Sequence, residues 1–144
     1  MQLTTFSDYA LRVLMYAQAS GGRLVTIDEI AAAYGISRAH LMKVVNTLTR
    51  AGFLTAVLGR NGGLRLARKP SEIVLGDVMR ATEPDFALVE CFTTGNQCVI
   101  TQRCGLQRVL RGALSAFFAE LDEHTLESIA LRPRDFPGML KPAN

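Results

Sequence analysis

Apolar residues recur at helical spacing through the first third of the chain. Phe6, Ala10, Val13, Leu14 and Ala17 follow the polar start Thr5 and Asp8, and Ser20-Gly21-Gly22 ends the run, which predicts a first helix. A second begins at Thr26, where Glu29 stands three residues on in a capping-box pattern, and Ile27, Ile30, Ala31 and Tyr34 line one side. Gly35-Ile36-Ser37 is short enough for a turn, and Ser37 can cap a third helix from Arg38 to about Arg50, with Gly52 just past its end. Two helices joined by so short a Gly-containing turn make a helix-turn-helix.

Beyond Gly52 the pattern becomes extended. Residues 53–58 and 64–67 are apolar runs that flank Gly59-Arg60-Asn61-Gly62-Gly63, a hairpin signal because Gly and Asn accept positive φ at little cost. This hairpin is a wing. Lys69-Pro70-Ser71 closes the first module, Leu75 to Thr82 predicts a short helix, and residues 85–103 lose periodicity. A long helix then runs from about Cys104 to Leu121, with Leu106, Leu110, Ala113, Phe117 and Leu121 on one seam and Val109, Leu114 and Phe118 beside it. That stripe is wide enough to face its own domain and a second subunit. Thr125 to Ala130 predicts a last helical turn. The fold class expected is mainly α with a small β-hairpin wing, a winged helix-turn-helix plus a long dimerisation helix. Residues 1–70 form the DNA-binding module, 71–130 the cysteine loop and dimerisation helix, and 131–144 a loose C-terminal tail.

Composition narrows the function classes. With 49 % hydrophobic and 20 % charged residues the chain can bury a core and is not disordered for want of apolar side chains. Its apolar stretches fall well short of the roughly 20 residues that span a bilayer. Its opening residues lack the basic segment and apolar run of a signal peptide, so a cytoplasmic location without membrane attachment is expected. Charge is divided unevenly. Residues 1–69 hold nine Lys or Arg against three Asp or Glu, whereas residues 70–144 hold seven against ten. The first half suits a polyanion.

In the third helix Leu41, Val44, Val45 and Leu48 cluster on one side, leaving Ala39, Lys43, Asn46 and Arg50 opposite, flanked by Arg38, Met42 and Thr47. Such a face fits a major groove. Asn46 can pair with adenine, Lys43 and Arg38 can reach guanine or phosphate, and the small Ala39 permits close approach. Arg60 and Asn61 at the hairpin tip can reach a minor groove or its phosphate edge. A solvated helix face and a plain turn are the bland alternative; wing and charge together weigh against it. His40 suits a phosphate contact or a cap, and His124 a solvated position after Asp122-Glu123. Neither has a nucleophile placed beside it, so a cysteine-dependent enzyme is disfavoured.

The three cysteines fall at Cys91, Cys98 and Cys104. An odd number in one compact loop argues against a disulfide framework. Three thiolates supply three corners of a zinc site or three ligands of an iron-sulfur cluster, and either needs a fourth group. Three buried small hydrophobes are the bland reading, for which a loop rich in Gly, Asn and Thr is a poor setting. Asp8, three residues after Thr5, reads most simply as part of a helix cap.

The opening from Met1 to Arg12, the helix end Arg50-Ala51-Gly52-Phe53, the wing Gly59-Arg60-Asn61-Gly62-Gly63-Leu64-Arg65-Leu66 and the three-cysteine loop resemble the NsrR and IscR family of bacterial winged-helix regulators. The resemblance runs to about Ala130. It implies a homodimeric repressor on a palindromic operator of double-stranded DNA, with one iron-sulfur cluster per subunit, 2Fe-2S or 4Fe-4S, held by Cys91, Cys98 and Cys104. It implies further that the fourth ligand varies within the family. Gln107 stands where some members place a histidine, and Asp8 where others use an acidic residue reaching across the dimer. Nitric oxide is the signal so implied, with release of the operator when the cluster is nitrosylated. Sensing of iron or cluster supply on the same fold, or a zinc or disulfide redox switch, are the alternatives.

Overall fold

The computed structural model describes residues 2–139. Its elements run α1 (Thr5–Ala19), α2 (Ile27–Tyr34), α3 (Arg38–Arg50), β1 (Leu54–Val57), β2 (Gly63–Leu66), α4 (Leu75–Thr82) and α5 (Gly105–Asp122), with short 3₁₀ turns between and after them. Local chemistry sets the helix starts. Thr4, Thr26 and Ser37 each accept a hydrogen bond through Oγ from the backbone N–H three residues on, at 3.3, 3.1 and 3.3 Å. Gly35 ends α2 at φ 65°, the left-handed turn that lets α3 start three residues later.

Strands β1 and β2 pair antiparallel with Leu54 opposite Leu66 and Val57 opposite Gly63. Val25 joins the free edge of β2, its N–H donating to the Leu64 carbonyl at 3.0 Å and its carbonyl accepting from the Leu64 N–H at 2.7 Å. The hairpin is thereby tied to the chain that enters α2. A side chain at Gly62 would collide with the Val57 carbonyl, so the turn requires glycine there.

One core unites these elements. Ala10, Val13, Leu14 and Ala17 of α1, Ile30 of α2, and Leu41, Val44 and Leu48 of α3 are buried together with Leu54 and Leu64 of the hairpin. The chain returns to this core after α5. Leu126 is fully buried, its N–H donates to the Ile73 carbonyl at 2.8 Å, and Thr125 pairs with Val74. Phe136 is then inserted edge-on between Tyr16 and Tyr34, with ring centroids 5.0 and 5.7 Å apart, and Met139 is buried beside the same cluster. The expected loose tail is therefore corrected for residues 131–139. Two tyrosines from separate helices make the slot for Phe136, and nothing in the tail's own sequence reveals it. Residues 140–144 lie outside the described part.

α5 has a different character. None of its residues is fully buried, and Leu106 and Val109 are 61 % and 64 % exposed. Its second half is held to α4 by Arg80, whose guanidinium bonds both carboxylate oxygens of Asp122 at 2.7 Å and lies 4.5 Å from the Phe118 ring centre.

Candidate nucleic-acid interface and thiol loop

The amphipathic spacing of α3 turns Leu41, Val44, Val45 and Leu48 into the core and leaves Arg38, Ala39, His40, Met42, Lys43, Asn46 and Arg50 exposed. Among the described residues the side chains of Lys43 and Asn46 make no hydrogen bond or ion pair, so their donors and acceptors are free for a ligand. Arg38 is shared with Asp28 of α2 through a 3.1 Å contact between two exposed groups, which costs little to break. His40 donates its backbone N–H to Ser37, but its ring lies beside Tyr9 of α1, centroids 6.2 Å apart, so the imidazole caps nothing. Arg60 and Asn61 are exposed at the hairpin turn.

Two further residues near the helix end and wing were not singled out by the sequence pattern. Leu58, at the end of the first apolar run, is 92 % exposed at the wing. It closes the apolar run 53–58, and β1 ends one residue earlier, at Val57. Arg68 is basic yet committed elsewhere: it donates to the Gly52 and Ala51 carbonyls at 3.0 and 3.4 Å and lies 4.7 Å over Phe53. A cation there satisfies the free carbonyls at the end of α3.

Asp8 does not cap α1. Thr4 takes that role, one residue earlier than the sequence suggests, and Asp8 instead grips Arg12 one turn on, with Oδ1 to Nε at 3.1 Å and Oδ2 to Nη2 at 2.8 Å. The pair is about half exposed. The Arg12 guanidinium lies 5.8 Å from the Tyr9 ring centre and 5.7 Å from that of Tyr34. The carboxylate is thus reachable from solvent and tied only by an exchangeable ion pair.

All three cysteines carry free thiols; Cys91 and Cys104 are partly buried and Cys98 is exposed. Cys91 sits in a 3₁₀ turn over Glu90–Phe92, and Cys104 is the residue from which α5 springs. Polar side chains order the loop between them. Glu90 accepts from the Gln97 N–H at 3.0 Å, Asn96 accepts from the Cys98 N–H at 2.9 Å and donates to Thr101 at 2.8 Å, and Thr101 donates to the Cys98 carbonyl at 2.8 Å. Among the described residues no three His, Cys, Asp or Glu side chains converge as a metal site requires, so the single chain does not bring the thiols and Asp8 together. The donor chemistry nevertheless fits a thiophilic centre. Three free thiols share one loop, and Cys104 lies at the N-terminus of α5.

A winged helix-turn-helix with an exposed polar face on α3, basic side chains at its wing and a separate thiol loop defines a DNA-binding regulator rather than an enzyme. The chain belongs to the Rrf2 family, described as iron-dependent transcriptional regulators, whose model matches residues 3–132. It is 45 % identical over 143 residues to the HTH-type transcriptional regulator NsrR of Bacillus subtilis, covering 98 % of each chain. It is 48 % identical over 130 residues to protein aau3 of Rhizobium meliloti, covering 90 % of this chain and 84 % of that one. Among solved structures, the IscR of T. potens superposes with a TM-score of 0.72 at 25 % identity, covering 90 % of this chain and 85 % of that one. No helix among the described residues is long and apolar enough to cross a membrane.

Proposed function

We propose that this protein is a cytoplasmic, homodimeric repressor that senses nitric oxide through an iron-sulfur cluster and releases a palindromic operator when the cluster is nitrosylated. Cys91, Cys98 and Cys104 hold the cluster, one per subunit, and Asp8 of the partner subunit supplies the fourth ligand. The observation that carries this reading is the set of three free thiols in one loop, the last at the start of α5, on a chain whose exposed α3 face leaves Lys43 and Asn46 without side-chain partners among the described residues. The cluster, when bound, supplies iron with one weakly held oxygen ligand, a place for a small diatomic.

The chain's own residues do the rest. Arg38, Ala39, His40, Lys43 and Asn46 address the major groove, and Arg60 and Asn61 the neighbouring minor groove or its phosphates. A dimer sets two such helices about 34 Å, or a multiple of it, apart along the duplex. Asp8 would hold the metal in place of its Arg12 partner. Because α1 packs on α3 in one core that includes Ala10, Leu14 and Leu41, a ligand drawn from α1 would couple the cluster to the recognition helix. The family's description as iron-dependent favours a second reading, in which the same site reports iron or cluster supply.

Anaerobically purified protein should contain iron and sulfide, retard a palindromic DNA fragment and lose that retardation on titration with nitric oxide. Replacing any one of Cys91, Cys98 or Cys104 by Ala should abolish the cluster and leave a folded dimer; full iron and sulfide in all three variants would sink the assignment. Mixed dimers with Asp8→Ala on one chain and Cys98→Ala on the other settle the fourth ligand. Ligation across the dimer leaves one complete site and one doubly damaged, whereas ligation within a chain damages both. Response of operator binding to iron depletion but not to nitric oxide selects the second reading.

A further inference from the structure

A cleft of about 870 Å³ opens between the second half of α5, the end of α4 and residues 85–94. Its size is that of small-molecule sites. The floor is apolar: Phe86 meets Phe118 edge to face with centroids 4.6 Å apart, and Leu114 and Ala119 lie beside them. On one wall stands Arg111, its guanidinium 5.2 Å from the Phe92 ring centre. Neither Arg111 nor Ser115, one helical turn on, makes a side-chain hydrogen bond or ion pair among the described residues. The other basic group in the cleft is already engaged. Arg80 donates to both carboxylate oxygens of Asp122 and touches Asp77 at 3.3 Å, so its donor fork is occupied.

We propose that this cleft binds a small organic monoanion, a carboxylate with an aromatic or branched apolar body. Arg111 and Ser115 take the carboxylate, and the body lies on Phe86 and Phe118. A cation held against a ring by stacking, with its donor fork free, is preorganised for such a group. A single unengaged positive charge, with Asp85 at the rim, selects a monoanion over a dianion. Access does not depend on dimer formation through the exposed apolar residues of α5. At 3.6 residues per turn, Leu106, Val109 and Ala113 lie on the opposite face of the helix from Arg111, Ser115 and Phe118.

Titration calorimetry of the full-length protein with phenylacetate reads this directly, without DNA or nitric oxide. Saturable binding at one site per chain is expected. Phenylacetamide, which lacks the charge, and acetate, which lacks the body, should each bind at least about tenfold more weakly, as should phenylacetate to Arg111→Gln. Ala119→Phe, which fills the cleft, should abolish binding while circular dichroism shows the helices intact. Equal affinity for phenylacetamide, unchanged affinity in Arg111→Gln, or no saturable binding overturns the proposal. Because iron content and response to nitric oxide are not read, failure here leaves the cluster reading untouched, and failure of the cluster reading leaves this one standing.

Discussion

At the scale of single residues, Tyr16 and Tyr34 join α1, α2 and the returning C-terminal segment. The Tyr16 hydroxyl donates to Glu29 at 2.8 Å, and Arg23 grips the same carboxylate at 2.6 and 3.1 Å, which holds Glu29 below the usual carboxylate range. The Tyr34 hydroxyl donates to the Arg12 carbonyl at 3.1 Å. Burial, aided for Tyr16 by the Glu29 charge, pushes both phenols from 10.0 up to about 12. The sign of the pH effect follows. Below pH 10 both folded and unfolded chains keep the phenol protons, and the contribution is whole. Between 10 and about 12 only the unfolded chain ionises, so stability falls as pH rises and the contribution is gone above that window. The gap is worth roughly 2–3 kcal/mol per phenol at most. Urea midpoints measured from pH 9 to 12 should therefore drop steeply in the parent, about half as steeply in Tyr16→Phe, and least in the Tyr16→Phe, Tyr34→Phe pair. An alkaline slope unchanged in the double variant would show that other groups govern it.

At the scale of elements, the proposed interface divides the work on DNA between α3 and the wing. Asn46 lies on the exposed face of α3, which that proposal turns to base edges, so Asn46→Ala should relax preference at one base pair and cost about 1–3 kcal/mol of operator affinity. The same proposal assigns Arg60, at an exposed turn, to the backbone. Arg60→Ala should weaken binding to every sequence and lower the slope of log affinity against log salt by about one. Fluorescence anisotropy on operator variants at several salt concentrations separates the two, and normal affinity and slope in both variants would remove the assignment. These elements were legible in the sequence because their determinants are local. Thr26, Gly35 and Ser37 fix the boundaries of α2 and α3 within a few residues, and the Gly-rich stretch fixes the hairpin. α1 starts at Thr5 as its sequence indicates, but its cap is Thr4 for a non-local reason. Thr4 is chosen as cap partly because Glu83, from beyond α4, accepts from its N–H at 2.9 Å and its hydroxyl at 3.0 Å. Asp8 was thereby freed to pair with Arg12. Likewise the three thiols could be found by their spacing, but the Arg111–Phe92 stack could not, since it joins the loop to a helix nineteen positions away.

At the scale of the whole molecule, α5 is anchored by its C-terminal end. The backbone pairing of residues 73–75 with 124–126, followed by insertion of Phe136 between Tyr16 and Tyr34, makes the segment after α5 part of the core around α1 and α2. A displacement of α5 therefore reaches that core through two routes, α4 and the returning segment, instead of passing along a flexible linker. The sequence concealed this because Pro133 and Pro137 read as a tail, while the aromatic slot comes from helices a hundred residues earlier. If the segment is structural, Phe136→Ala should destabilise the protein by about 3 kcal/mol, at the low end for a core phenylalanine because part of the ring's edge stays near the surface. Arg134→Ala, at an exposed position two residues away, should change stability by less than about 0.5 kcal/mol. Urea unfolding followed by circular dichroism measures both. A loose tail predicts equal midpoints for Phe136→Ala, Arg134→Ala and the parent; a docked one predicts that the Phe136 variant alone unfolds early, and that loss of its ring weakens operator binding although the residue lies outside the groove-facing surface.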